Sequence, residues 1–221
     1  MRKLIPVIFI FVSAVSFGVP FNSIDILGGM LWIGNGERPD ETTGAPSPLS
    51  QEIGVSLPMP LGSLFVLDPG IYLYGMEYGY DEGPRPRPIQ IENREMFVLN
   101  WIVDLTLLVP FRVIDRLFIA PGISLTGIFR LPLIVAPGEE DSSSDMNSYF
   151  YGSTRYFFPG ACIKASWDFS DRFACLVKTG TRLPVFHFWD GESVPFYDQM
   201  QVYLDIGFSY KFGSAATSGN T

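Results

Sequence analysis

The sequence predicts an all-β fold, an eight-stranded antiparallel up-and-down transmembrane β-barrel. Three observations carry this. First, Gln199 to Phe212 alternates without a break: Met200, Val202, Leu204, Ile206, Phe208, Tyr210 and Phe212 are apolar or aromatic, with Gln201, Tyr203, Asp205, Gly207, Ser209 and Lys211 between them. Strand side chains point alternately to opposite faces, so this segment has one apolar and one polar face. Second, eight such stretches are joined by connections that alternate short and long. Third, no segment beyond the N-terminus has an apolar run near the roughly 20 residues a membrane helix needs. A membrane location then requires a closed barrel, because an open sheet edge would leave backbone groups unpaired in hydrocarbon.

Composition agrees. Hydrophobic residues make up 47% and charged residues 17%, with 22 Gly, 18 Pro and 15% aromatics, the mixture of an all-β chain rich in turns. A net charge of −8 argues against a nucleic-acid partner. Arg2 and Lys3, the apolar run Leu4–Val12, and small residues at Ser13, Ala14, Ser16 and Gly18 read as an export signal over residues 1–18. The barrel is expected over residues 19–212 and a disordered tail over 213–221.

The expected strands are Ile24–Ile33, Gln51–Pro58, Leu64–Tyr80, Arg94–Val109, Arg116–Arg130, Arg155–Phe169, Arg172–Leu183 and Gln199–Phe212. The fourth is the clearest after the last. It sets Phe97, Leu99, Trp101, Val103, Leu105 and Leu107 against Met96, Val98, Asn100, Ile102, Asp104 and Thr106. The third has no unique phase. One choice turns Tyr72, Tyr74, Met76, Tyr78 and Tyr80 outward and Gly75, Glu77 and Gly79 inward, with Pro69-Gly70 marking a shift or bulge. Short links, Met59–Ser63, Pro110–Asp115 and Ser170-Asp171, follow strands two, four and six. Long polar links, about Gly34–Ser50, Asp81–Asn93, Leu131–Thr154 and Pro184–Asp198, follow the odd strands. Short turns on one rim and long loops on the other suit an outer-membrane barrel, and an even strand count puts both termini on the short side.

The closing segment Asp205-Ile206-Gly207-Phe208-Ser209-Tyr210-Lys211-Phe212 resembles the assembly signal of bacterial outer-membrane barrels, with Asp205, Gly207, Tyr210 and Phe212 at its key positions. Such barrels usually stop at the final Phe, whereas this chain continues for nine residues, 213–221. The resemblance implies insertion into the bacterial outer membrane by the barrel assembly machinery, with lipid as the surrounding partner. In strand count and overall length the chain is similar to the OmpW-like small barrels, including those of spirochaetes. That resemblance implies a conduit for small, hydrophobic molecules, and the barrel is expected to be a monomer without a cofactor.

An eight-stranded bore is narrow enough for side chains to fill. Counting from the short turns places Asp104, Lys164, Lys178 and Asp205 at similar heights. Lys164 and Lys178 would face each other across a hairpin and repel, so Asp104 and Asp205, with Asp25 or Glu52 as further candidates, are expected to neutralise them as a plug. Above this level Met96, Val98, Ile102 and Ile128, with Leu176 less firmly, predict an apolar upper chamber. Two functions follow: a narrow conduit for small solutes, or a closed barrel whose surface loops bind partners. For the second, His187, Phe188 and Trp189 in the last long loop are the candidate recognition residues. The acidic stretch Glu139, Glu140, Asp141 and Asp145 reads as a solvated loop tip. Cys162 should face the lumen and Cys175 lipid, leaving both thiols free. One histidine and no recognisable nucleophile, phosphate or zinc motif argue against an enzyme, a metal site or a cofactor.

Overall fold

Alternation in the sequence becomes pairing in the structure, a computed structural model that describes residues 21–35, 49–80, 86–89, 96–135, 140–191 and 194–212. The expected signal peptide and tail lie outside these residues. The described residues form eleven strands: β1 (Ser23–Ile33), β2 (Leu49–Ser56), β3 (Met59–Leu61), β4 (Phe65–Tyr80), β5 (Pro86–Ile89), β6 (Met96–Leu108), β7 (Phe111–Ile114), β8 (Leu117–Val135), β9 (Phe157–Asp168), β10 (Phe173–Arg182) and β11 (Gln201–Lys211). Eight of them are staves, paired antiparallel in the order β1-β2-β4-β6-β8-β9-β10-β11, with β11 returning to β1 from Ser23↔Lys211 to Ile33↔Gln201. This closed ring is the predicted barrel, and no stave is left as an edge. β3, β5 and β7 extend hairpins at its rims, pairing with β4, β4 and β8.

β6 shows how sequence sets orientation. From Met96 to Leu108 its even-numbered residues are all buried while Trp101 and Leu105 are exposed. Across the barrel the apolar faces point out, and the charged side chains of the staves point in. Ile26, Ile53, Ile123, Ile163, Leu204 and Ile206 are exposed, whereas Asp25, Glu52, Asp68, Asp104, Lys164 and Lys178 are buried. Among the described residues no second protein layer covers the outer wall: Trp101 is 41% exposed and Phe208 61%. Such an apolar outer wall is costly in water and suits hydrocarbon. At the short-turn rim Phe169, Phe173, Tyr210 and Phe212 form a run of ring contacts, with centroids 6.1, 5.3 and 5.7 Å apart in turn. Aromatic residues of this kind gather at membrane–water interfaces.

Two expectations change. The pairing of β4 with β6 runs from Val66↔Leu108 to Tyr78↔Met96 without a register shift, so Pro69-Gly70 makes no bulge. With Asp68 inside, the strict period carries Tyr72, Tyr74, Met76 and Tyr78 inside too, which fixes the phase that the sequence leaves open. Room for the rings comes from glycines on facing staves. A Cβ at Gly54 would lie 2.2 Å from Cδ1 of Tyr72, and one at Gly180 would lie 2.6 Å from the hydroxyl of Tyr203. Second, the connection after β8 is not an irregular loop. β8 runs on to Val135, and helix α1 (Glu140–Tyr151) follows. Glu139, and the side chains of Glu140, Asp141 and Asp145, lie outside the described residues.

Candidate functional site: the barrel bore and its outer rim

Strands of small membrane barrels tilt by ~35–45°, so a row of register partners spirals around the wall rather than ringing it at one height. Asp205, Lys178 and Lys164 are such a row, paired across β11, β10 and β9. Their side chains consequently meet different partners. Near the short-turn rim Lys164 Nζ crosses the bore to Asp25 Oδ2 on β1 (2.6 Å) and Asp68 Oδ2 on β4 (2.7 Å). Higher, Lys178 Nζ reaches Asp104 Oδ2 on β6 at 3.1 Å and the Tyr72 hydroxyl at 3.1 Å. Thr106 and Thr126 each donate a 2.6 Å hydrogen bond to the Asp104 carboxylate. Higher again, Arg182 binds Glu52 through Nη1 (3.1 Å) and Nη2 (3.3 Å) and donates to Gln201 Oε1 (3.1 Å). Gln201 in turn donates to the Tyr74 hydroxyl.

The four residues expected to form one plug therefore occupy successive storeys. Asp104 pairs with Lys178, but Lys164 takes Asp25 and Asp68. Asp205 lies next to Lys178 in register, yet among the described residues neither of its carboxylate oxygens receives a hydrogen bond. It flanks Gly29 on one side and Glu52 flanks it on the other, so the two acids share one neighbourhood. Asp68 and Arg182 were the members least visible beforehand. Asp68 sat in the strand of uncertain phase, and Arg182 in the weakest alternation.

Met96, Val98, Ile102 and Ile128 are buried on the inner wall, on β6 and β8. The space before them is not an apolar chamber. Asn100, Arg130, Arg182 and Gln201 share the level, and Leu176 lies below Lys178, because β10 ascends from its short turn. Phe150 from α1 and Phe186 from the last connection fill the mouth, both buried, and Phe186 meets the inward Phe158 edge-on at 5.4 Å. A cavity of about 10 Å³ remains between Ile33, Tyr74, Tyr78, Arg130, Phe150, Gln199 and Gln201. That is about enough for one water.

At the outer rim, a 3₁₀ turn over Val185–Phe188 divides the three candidate recognition residues. His187 is 4% exposed in its side chain, so it is not part of a recognition surface. Its Nδ1 faces Asp190 Oδ2 at 3.1 Å and its Nε2 faces the Asp198 carbonyl oxygen at 3.0 Å. Only a protonated ring can donate to both. Burial alone would lower its pKa, but the hydrogen bonds to Asp198 and the charges of Asp190 and Asp198 outweigh that and raise it above the ordinary 6.5. Phe188 (75% exposed) and Trp189 do face outward, beside Phe196 and Tyr197. Phe188 and Phe196 rings lie 5.2 Å apart, and Trp189 Nε1 donates to the Ser153 carbonyl at 2.9 Å. Among the described residues no group of three His, Cys, Asp or Glu could hold a metal ion, and no helix is long and apolar enough to cross a membrane. Cys162 is buried inside, Cys175 is exposed outside, and both are free.

No protein-family model matches the sequence, and no curated protein matches it. Solved structures do resemble the fold. Neisserial surface protein A shares 8% identity at a TM-score of 0.49, covering 86% of this chain and 96% of that one. A major outer membrane protein of Thermus thermophilus shares 12% at 0.45, covering 86% and 99%. OprG, an outer membrane protein of Pseudomonas aeruginosa, shares 9% at 0.40, covering 88% and 98%. All three scores fall below 0.5, so the barrel assignment rests on the closed pairing of this chain's own staves and on its apolar outer wall.

Proposed function

We propose that this chain is a closed bacterial outer-membrane barrel whose interior is a structural plug and whose working surface is its outer rim. One observation carries the reading: the bore is crossed, storey by storey, by Lys164 with Asp25 and Asp68, Lys178 with Asp104, and Arg182 with Glu52, and is topped by Phe150 and Phe186. Each buried cation in this series meets a carboxylate on another stave, which makes burial tolerable and ties the walls together. An export signal over residues 1–18 and an assembly signal at Asp205, Gly207, Tyr210 and Phe212 would deliver the chain there as a monomer. The outward Phe188, Trp189, Phe196 and Tyr197 then form the patch available to a partner, since exposed aromatics are common anchors.

The purified, refolded protein in planar bilayers should show no unit conductance, and liposomes carrying it should not swell in small solutes. Steady single-channel steps from the wild-type chain would overturn the closed reading. The rim role is checked separately by replacing residues 184–198 with a Gly-Ser linker. Surface binding to partner cells or envelope components should vanish while the unboiled protein keeps its anomalous gel mobility.

A second reading, a conduit for small hydrophobic molecules, is favoured by the apolar inner wall of Met96, Val98, Ile102 and Ile128 beneath α1. On that reading Phe150→Ala should raise liposome uptake of a hydrophobic solute above wild type; unchanged uptake would leave the closed barrel.

A further inference from the structure

The buried cations of the bore follow one rule, and Arg130 breaks it. Lys164, Lys178 and Arg182 each have a carboxylate partner. Arg130, on β8 and 4% exposed, has none among the described residues, and its Nε and Nη1 are buried without a hydrogen-bond partner. Its guanidinium lies 3.8 Å from the ring centroid of Phe150 and 6.0 Å from that of Phe158. A cation–π contact replaces only part of the hydration lost on burial, and arginine cannot escape the cost by losing its proton.

Arg130 and Phe150 line the same cavity. Around it the donors are in excess. The Tyr74 hydroxyl accepts from Gln201 Nε2 at 3.1 Å, which leaves its own proton to give. Tyr78 lines the same cavity, while Ile33 and Phe150 supply apolar wall. Gln199 Nε2 donates to the Tyr149 hydroxyl at 3.2 Å. Its Oε1, buried without a donor, is the acceptor in a set otherwise made of donors.

We infer that Arg130 is the anchor of an anion subsite inside the upper bore, which takes the carboxylate of a small organic acid. Nε–H and Nη1–H leave different sides of the planar group, so each offers a separate charge-assisted donor to an anionic oxygen. The Tyr74 hydroxyl gives a third donor, and a short alkyl group packs against Ile33. The cavity as it stands holds about one water, so the acid enters when the Phe150 ring moves aside and widens it. This goes beyond the closed-barrel reading and does not depend on it, because a subsite reached from the rim requires no path through the plug.

The test uses the full refolded chain, with propionate as the acid, propionamide as its neutral isostere and chloride as the competing ion. Binding is followed by saturation-transfer NMR and by thermal shift. Wild type should bind propionate and not propionamide. Phe150→Ala should bind more tightly, since it removes the cover. Arg130→Gln should weaken binding by about tenfold or more, the worth of a charge-assisted hydrogen bond. Arg130→Lys, which keeps the charge but loses the fixed planar array of donors, should fall between. Anomalous gel mobility of the unboiled variants shows that each barrel has formed. Propionate binding absent from both wild type and Phe150→Ala, equal binding of propionamide, undiminished binding by Arg130→Gln, or saturation by chloride with propionate excluded would each overturn the assignment.

Discussion

Buried acids of the bore differ in what they hold, and substitution should expose the difference. Asp104 accepts from Thr106, Thr126 and Lys178 at once. Lys178→Met would leave that carboxylate buried without its cation, at a cost of about 3–5 kcal/mol. Adding Asp104→Leu should recover most of the loss, because an apolar pair of similar volume replaces the buried ions. Urea unfolding in lipid vesicles measures both variants, and a double variant no better than the single one would contradict the cross-bore pairing. Asp205→Asn should behave in the opposite sense. Its oxygens receive no donor and share their surroundings with Glu52, so removing the charge should leave the unfolding midpoint unchanged or raise it. These roles were only half legible in the sequence. Alternation placed Asp104, Lys164, Lys178 and Asp205 inside the barrel. It could not pair them, because pairing follows strand tilt, and a shared count from the turns is not a shared height.

At the level of elements, the last connection is held by its histidine. His187 sits between Asp190 and the Asp198 carbonyl, and Arg155 Nε approaches the same Asp190 carboxylate at 3.5 Å. The folded-state pKa of His187 is raised, so its contribution is complete below the ordinary value of 6.5 and is lost as pH rises through the raised one. Amide protection over residues 183–191 and 194–200, corrected for intrinsic exchange, should thus fall from pH 5.5 to pH 8.5. His187→Gln should flatten that dependence, and an unchanged slope in the variant would assign it to another group. The sequence placed this histidine on the surface because exposed aromatics flank it, and a one-residue step around a 3₁₀ turn was enough to send it inward. Helix α1 was hidden for a different reason. Its sequence, Glu-Asp-Ser-Ser-Ser-Asp-Met-Asn-Ser-Tyr-Phe-Tyr, is rich in residues that favour caps and turns over helix interiors. The phase of β4 stayed open because tyrosines, which can line either face, hid the polar side of its alternation.

For the whole molecule, the physical wager is that the solvent changes along the outer wall from water to hydrocarbon and back. The eight-stave plan was legible because that wager imposes strict alternation on every stave and sorts the connections by rim. β11 offers a direct measurement. Its outward residues Val202, Leu204, Ile206, Phe208 and Tyr210 form one exposed line from the outer side toward the short-turn rim. An arginine placed at each in turn samples successive depths. In a membrane the cost should peak in the middle of the line, at about 2–4 kcal/mol, and fall to about 0–1 kcal/mol at its ends. A barrel standing in water would return a flat profile, with each change within about 0.5 kcal/mol, as for ordinary surface positions. Tyr210→Arg carries a second effect, the loss of its ring contact with Phe173. Phe173→Leu provides the control for that loss, since it removes the same contact without placing charge in lipid. A peaked profile that survives the correction assigns hydrocarbon to the wall between the aromatic rim and the loops, and a flat one returns the chain to the aqueous phase.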